Sequence, residues 1–469
     1  MAGLAAGCAL ADAGFQVTLF ERRPYLGGRA SSYEHPGTGE IVDNCQHVLL
    51  GCCINLVEFY ERIGVDGKIR WYDRLTFLEP GGRASTIAAS ALPAPFHTAP
   101  SFLGAACLSL QDKLAISVAM AALARRAPAD DGESFLVWLC RHHQTERAIE
   151  RFWKTILVSA LNEDLDRMSV PYAAQVIRES FLKSAAAGRM GVPTVPLTEL
   201  YSAAGDYIQA RGGELCLRSG VECFRADAAG ARLYVASKEV SFDYVVFAVP
   251  SDVLLRMLPQ VNEAERLGKN LHAFETSPIT GIHLWFDREI SDLDHAVLLD
   301  RTIQWMFHKS RLLSRNSSHS RRDTGATVKR SSRDGDLAPE GSYVELVVSS
   351  SKTLVEKSKS EITELARNEL YEFFPAARET KLLKSTVIKE INATFSPRPG
   401  IDAYRPKSET AWPRVFLAGD WTATGWPATM EGAVRSGYMA AEALAKASGK
   451  DAQFLTPDLS ASGLMRFFA

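Results

Sequence analysis

The sequence predicts an α/β chain in which a dinucleotide-binding layer, split into separated segments, is interleaved with an α+β second unit. Three observations predict it. A helix of small residues at 2–13 (AGLAAGCALADA) turns at Gly14 into QVTLFE, residues 16–21, which reads as a strand ending on a carboxylate. Near the other end, a short apolar strand, Val415-Phe416-Leu417, stops on Gly419-Asp420 and leads into a glycine-rich helix. Between them, Asp243 to Pro250 (DYVVFAVP) reads as a returning buried strand closed by proline.

The first element is a half-motif. Gly14 suits the left-handed position that ends a helix. Val17 and Leu19 alternate with Thr18 and Phe20, and Glu21 follows. In a dinucleotide-binding βαβ unit, an acidic residue about 20 positions after the glycine loop binds the adenosine ribose hydroxyls. Gly3 to Glu21 spans 18 positions. Gly3 then reads as the last glycine of G-x-G-x-x-G. The opening strand and first two glycines are expected upstream, with Met1 an internal methionine.

Two further blocks point to a flavin. Glu21-Arg22-Arg23 runs into Gly27-Gly28-Arg29, where glycines admit a phosphate and the arginine offers a fixed cationic fork. At the far end, the Asp420 carboxylate can bond a ribityl hydroxyl. The helix opening at Met430, Glu431, Gly432 and Ala433 can present its amides and positive dipole end to the flavin N1/C2 region. The implied cofactor is FAD.

Composition narrows the classes. Lys and Arg number 53 against 55 Asp and Glu, a net charge of −2, which argues against a nucleic-acid partner. An apolar share of 46% is that of an ordinary globular protein. The eight cysteines show no C-x-x-C spacing, so no metal site is expected. The first residues carry no basic region and include Asp12, so no secretory signal is expected, and no apolar window spans a bilayer.

The E-R-R-x-x-x-G-G-R and G-D…M-E-G-A…S-G blocks resemble those of the FAD-dependent amine oxidase and phytoene desaturase superfamily. Other blocks are similar to its squalene-associated subgroup, the hydroxysqualene dehydroxylases. They are Asp43-Asn44-Cys45-Gln46-His47, Leu161-Asn162, Ser277-Pro278-Ile279, Gln304-Trp305, Ala393-Thr394-Phe395 and the run from Ala418 to Ala441. Cys45 stands where that pattern has glycine. The resemblance implies a Rossmann-like FAD domain whose adenine meets the Val221 backbone. It also implies reductive dehydroxylation of hydroxysqualene, a C30 isoprenoid, to squalene in the squalene or hopanoid route, with FAD oxidised. Hydroxide leaves poorly, so a proton donor is needed. His47 is the candidate, with Gln46 orienting it or bonding the flavin. Asn162 and Thr429 are polar pocket candidates; Trp426 and Pro427 would wall the ring. A carotenoid- or phytoene-type desaturase would run the hydride the other way with the same cofactor motifs. An amine oxidase needs an aromatic cage. A flavin-free isoprenoid carrier is the non-enzyme alternative.

The expected FAD domain comprises 1–55, 195–255 and 410–447, with a β-meander in its second part. The substrate domain comprises 56–194 and 256–409. Within it, residues 83–126 are apolar and read as a buried helical hairpin or as a portal dipping into a membrane interface. Residues 309–340 read as a disordered basic loop and 448–469 as a tail. The expected setting is cytoplasmic, peripheral on the inner face of the cell membrane. Contact with hydroxysqualene-forming enzymes is a further expectation.

Overall fold

In a computed structural model, the described residues are 1–125, 128–227, 230–314 and 341–467. The first helix, Ala2–Asp12, is buried on almost every side because its residues are small. The last long helix, Met430–Ala447, crosses it nearly backbone to backbone. A Cβ on Gly437 would sit 2.3 Å from the Ala2 carbonyl oxygen, so only glycine allows the approach.

Four short parallel strands flank these helices as two pairs. Thr18–Phe20 pairs with Glu214–Cys216, and Val245–Phe247 pairs with Val415–Leu417. A cavity of about 1090 Å³ opens between the pairs, and the outer edge of Val415–Leu417 is bridged by Ser408 and Glu409. The expected meander is present: Val221–Ala226, Ala231–Val235 and Lys238–Phe242 pair in sequence, antiparallel.

The largest sheet has seven strands. Its central run is Leu382–Phe395, Thr276–Phe286, Ser342–Ser349 and Trp305–His308, all antiparallel, continued by His295–Leu298 and a parallel step to Arg74–Leu78. Side chains alternate between its faces. Ile282, Leu284, Val344 and Leu346 pack against Ile362, Ala366 and Leu370 of the helix Lys359–Phe373. The opposite face presents Trp285 and Tyr343 to Val42, and Val347 to Cys45. The sheet thereby becomes the floor beneath residues 42–48.

Residues 309–314, expected to open a basic loop, instead form the helix Lys309–Ser314, because the Lys309 side chain is drawn inside. The rest of that expected loop, 315–340, lies outside the described residues. The tail is not loose throughout: Gly463–Phe467 is a 3₁₀ turn whose Met465 is buried.

Glu431 shows how tertiary demand redirects a side chain. Its carboxylate accepts the Asn55 and Leu56 backbone N–H groups, at 3.2 and 2.7 Å, and the Asn55 amide at 3.0 Å. These are orphan donors at the start of the helix Ile54–Arg62, which has no capping side chain of its own. Glu431→Ala is expected to destabilise the protein by about 2–3 kcal/mol, the scale of a lost charged cap. A urea unfolding midpoint equal to that of the unmodified protein would contradict this role.

Candidate flavin site and apolar cavity

The 1090 Å³ cavity gathers the first group of candidates: Gly3, Glu21, Arg22, Gly27, Gly28, Arg29 and Val221 all line it. Glu21 follows the strand Thr18–Phe20 and is held there by its backbone N–H bonding Cys216 O at 2.9 Å. Its Oε1 accepts the Arg23 N–H at 2.8 Å, which turns the chain into the glycine loop. Gly27 has φ +111°, and a Cβ there would lie 2.1 Å from Ala30 O. Arg23 Nη1 closes the loop by donating to Gly28 O at 2.8 Å.

The second group does not line that cavity but is joined to it. Arg29 Nη2 meets Asp420 Oδ1 at 2.7 Å, and Arg29 Nη1 donates to Ala393 O at 2.7 Å. Gly419 N–H donates to Ser436 Oγ of the last helix at 2.7 Å. That helix opens at Met430 with Thr429 as its cap, which accepts Gly432 N–H at 3.0 Å. Met430 accepts the Tyr201 hydroxyl, and Ala433 packs on the core beside the first helix.

Several expected roles change. Glu431 faces the helix Ile54–Arg62 rather than a cofactor. Thr429 is engaged as a cap. Asn162 ends a helix in left-handed geometry; its amide donates to Ser277 O at 3.0 Å and Thr394 Oγ1 at 2.9 Å, and its carbonyl accepts Ser350 N–H at 2.6 Å. It is a bracket between strands with no donor left for a substrate. Trp426 packs beside Cys52 and Ala187 under the Arg435 guanidinium, and Pro427 turns its carbonyl toward Gly432.

Two residues escaped the sequence reading. Arg405 is buried beneath the Asp420–Trp426 loop and donates to Asp420 O at 3.0 Å, Thr424 Oγ1 at 3.0 Å and Trp426 O at 2.7 Å. Lys309 donates to Asp43 Oδ2 at 2.6 Å and Gln46 Oε1 at 2.8 Å.

His47 is half-buried, with Nδ1 2.8 Å from Cys45 O. A carbonyl only accepts, so Nδ1 carries the proton and Nε2 is left as an acceptor. Burial pushes the imidazole below its ordinary pKa, against the pull of that bond and of Asp43; Arg29 and Lys309 push it further down. At neutral pH His47 is therefore a neutral proton acceptor, opposite in polarity to the donor expected from the sequence. Gln46 Nε2 donates to His47 O at 3.0 Å.

A second cavity, about 420 Å³, lies among helices of residues 96–182. Phe77, Phe102, Met120, Phe152, Ile156 and Met465 contribute to its wall, which is nearly all carbon. The helices Ala99–Gly104 and Leu110–Arg125, from the apolar run, supply one side. None of Asn162, Trp426, Pro427 and Thr429 lines it; those residues serve the loops around Asp420 and strand ends instead. Leu75 lines this cavity and also packs in the cluster of Cys45 and Val48, which sets the inner wall against the His47 segment. Among the described residues, no cluster of His, Cys, Asp or Glu is placed to hold a metal ion.

The fold and the cradle define an FAD-dependent oxidoreductase. The family model for flavin containing amine oxidoreductases matches residues 1–445, and the chain belongs to that family. It is 25% identical over 466 residues to 15-cis-phytoene desaturase of Synechococcus elongatus, covering 95% of this chain and 94% of the relative. It is 24% identical to zeta-carotene desaturase of Synechocystis, covering 95% of each. Among solved structures it is similar to an oxidoreductase from Methanosarcina mazei, with TM-score 0.69 and 16% identity over 93% of this chain and 96% of the other. Cyclohexylamine oxidase from Brevibacterium oxydans gives TM-score 0.64 and 16% identity, over 96% and 97%.

The cofactor is FAD, and the residues present fit it. Glu21 suits the ribose hydroxyls, Arg22 and the Gly27–Arg29 loop the pyrophosphate, and Asp420 the ribityl chain. Glu21→Ala is expected to weaken FAD binding by about 1–3 kcal/mol, roughly 5- to 150-fold in Kd, the scale of hydrogen bonds to a charged group. Flavin fluorescence titration of the apoprotein checks it; an unchanged Kd would remove Glu21 from the ribose site.

Proposed function

We propose that the protein moves a hydride between FAD and a linear isoprenoid chain held in the apolar cavity. The observation that carries this is the carbon-lined cavity whose Leu75 wall abuts the Cys45–Val48 segment. A hydrocarbon chain offers no charged handle, so an apolar wall must do the binding. FAD, when bound, accepts or delivers a hydride at N5. The chain's own residues do the rest. The aromatic and aliphatic wall excludes water. Arg29 and Asp420 fix the loops that meet the cofactor. His47 Nε2 takes a proton.

A neutral imidazole poised to accept favours desaturation, in which the substrate loses a hydride and a proton. The relatives named as desaturases of phytoene and zeta-carotene support that direction. Reductive dehydroxylation of hydroxysqualene is the second reading. The Asp43–His47 block and the run Gly425-Trp426-Pro427-Ala428-Thr429 favour it. Anaerobic mixing separates the two. A desaturase in its oxidised form loses its yellow absorbance on adding a phytoene-type polyene. A dehydroxylase regains that absorbance when its reduced form meets hydroxysqualene. No change with either substrate would sink the isoprenoid reading. In the competent direction, His47→Ala should keep FAD and slow the reaction by roughly 10²-fold. The unmodified desaturation rate should fall with acid only below the ordinary imidazole pKa, because burial lowers that of His47, whereas a dehydroxylation using His47 as the acid should speed up as pH falls through the same range. An alanine variant of full rate would return His47 to packing.

We also propose that the cavity mouth collects its substrate from a lipid surface. No helix among the described residues is long and apolar enough to cross a membrane. Yet Leu110, Leu114 and Val118, four residues apart on one helix, are 70, 62 and 64% exposed, and Phe96 and Phe467 lie bare beside residues of the same cavity. Such a stripe suits the interface of a bilayer. Leu114→Glu with Val118→Glu should cut partition onto phospholipid vesicles roughly tenfold or more, given about 1.5 kcal/mol or more per buried aliphatic side chain. Undiminished co-sedimentation would refute the surface.

A further inference from the structure

Beneath Gln46 and His47 lie three charged side chains from three elements. Asp43 ends the strand Ile41–Asp43, Lys309 opens the helix Lys309–Ser314, and Glu345 belongs to the strand Ser342–Ser349. They are 4, 2 and 0% exposed. Lys309 Nζ lies 2.6 Å from Asp43 Oδ2 and 3.6 Å from Glu345 Oε2. One cation thus faces two carboxyls out of reach of water. If both carboxyls were ionised, a net negative charge would stand in the interior, which is costly.

The two carboxyls are not equivalent. Asp43 Oδ1 also accepts Ser32 Oγ at 2.5 Å and Leu197 N–H at 3.2 Å. Burial alone would raise its pKa, but Lys309 and these donors outweigh burial and hold it below the usual carboxylate value. Glu345 has no hydrogen-bond partner at either oxygen among the described residues. Burial, reinforced by Asp43, pushes its pKa up to about 8, and the Lys309 ammonium 3.6 Å away pulls it back only in part. At neutral pH the proton sits on Glu345.

The other titratable groups facing Glu345 carry no charge. His283 is its cross-strand partner, and its Nδ1 lies 2.8 Å from the Tyr343 hydroxyl. Burial lowers His283 to about 3 and raises Tyr343 and the Cys45 thiol well above their ordinary values. His35 reaches the same sheet face only through Thr386 Oγ1, at 2.9 Å. Lys309 also grips Gln46 Oε1, and Gln46 Nε2 holds His47 O, so the cluster is wired to the His47 backbone.

We propose that Lys309, Asp43 and Glu345 form a positioning cluster that fixes Gln46 and His47 beside the flavin, with Glu345 as its proton-bearing member. The proposal rests on FAD binding and on neither the identity of the isoprenoid nor the direction of hydride transfer. Loss of the Glu345 proton places a second negative charge under the segment and alters the field at the cofactor.

The test uses the FAD-loaded protein, Glu345→Gln and Lys309→Met. Glutamine has the shape of a protonated glutamate, so the first variant keeps the fold. Infrared spectra recorded from about pH 6 to about pH 10 should show a buried carboxylic acid C=O band that disappears with a midpoint near the Glu345 value. Glu345→Gln should lack that band. The flavin absorbance should shift with the same midpoint in the unmodified protein and not in Glu345→Gln. Removing the Lys309 charge should move the midpoint up by roughly one unit or more. A carboxylic acid band that survives in Glu345→Gln, or is missing from the unmodified protein at neutral pH, would overturn the proposal. So would a flavin shift that persists in Glu345→Gln. Were Lys309→Met to fail to fold, the two Glu345 measurements decide alone.

Discussion

The cofactor cradle is assembled from residues at opposite ends of the chain, and the contact of the first and last helices brings those ends together. Gly437 allows the helix Met430–Ala447 to lie against Ala2–Ala6 with nothing between the backbones. That approach sets the position of the helix opening at Met430, of Gly419 through Ser436, and so of Asp420. Arg29 can then span from the N-terminal glycine loop to Asp420 and to Ala393 of the large sheet. Arg405 braces the same loop from below by taking three of its oxygens. A side chain at position 437 would part the helices and loosen every one of these links.

The site lies where two solvents meet. One side is a cradle rich in arginine, backbone amides and carboxylates, suited to a charged dinucleotide. The other is a carbon-lined cavity suited to a hydrocarbon. The segment 43–48 packs behind the apolar wall through Leu75, and its side chains carry unusual protonation. Asp43 stays ionised because a buried lysine and two hydrogen-bond donors meet it. His47 stays neutral because burial outweighs the carbonyl that holds its proton. Buried groups whose environments push their pKa values apart are a common mark of functional sites.

Much of this was legible because it is local. The small-residue helix, Gly14 and the strand ending on Glu21 follow from periodicity and spacing. The Gly27–Arg29 loop and the Gly419–Asp420 turn follow from backbone needs that only certain residues meet. What stayed hidden depends on partners far along the chain. Glu431 sits in a run that reads as a cofactor helix, yet the uncapped start of Ile54–Arg62 claims its carboxylate. Asn162 has the chemistry of a substrate ligand, but the ends of three strands use up its amide. Lys309 stands at the head of a basic, serine-rich stretch, and composition cannot mark a lysine that turns inward. The apolar cavity was foreshadowed by residues 83–126, but not its other walls at Phe152, Ile156 and Met465.

Met465 has a consequence for the order in which the molecule is made. It forms part of the cavity wall, and the turn carrying it is held by Leu464 N–H on Ala94 O at 2.8 Å and Ser462 N–H on Lys183 O at 2.9 Å. A nascent chain emerges from its first residue onward, so helices Ala99–Gly104 and Leu110–Arg125 are exposed long before their final covering exists. The FAD layer waits just as long, for Val415–Leu417 and the helix that follows. Both halves of the protein therefore close only after residues 415–467 have emerged. Until then the chain displays a broad apolar surface, the condition under which chains aggregate or engage chaperones.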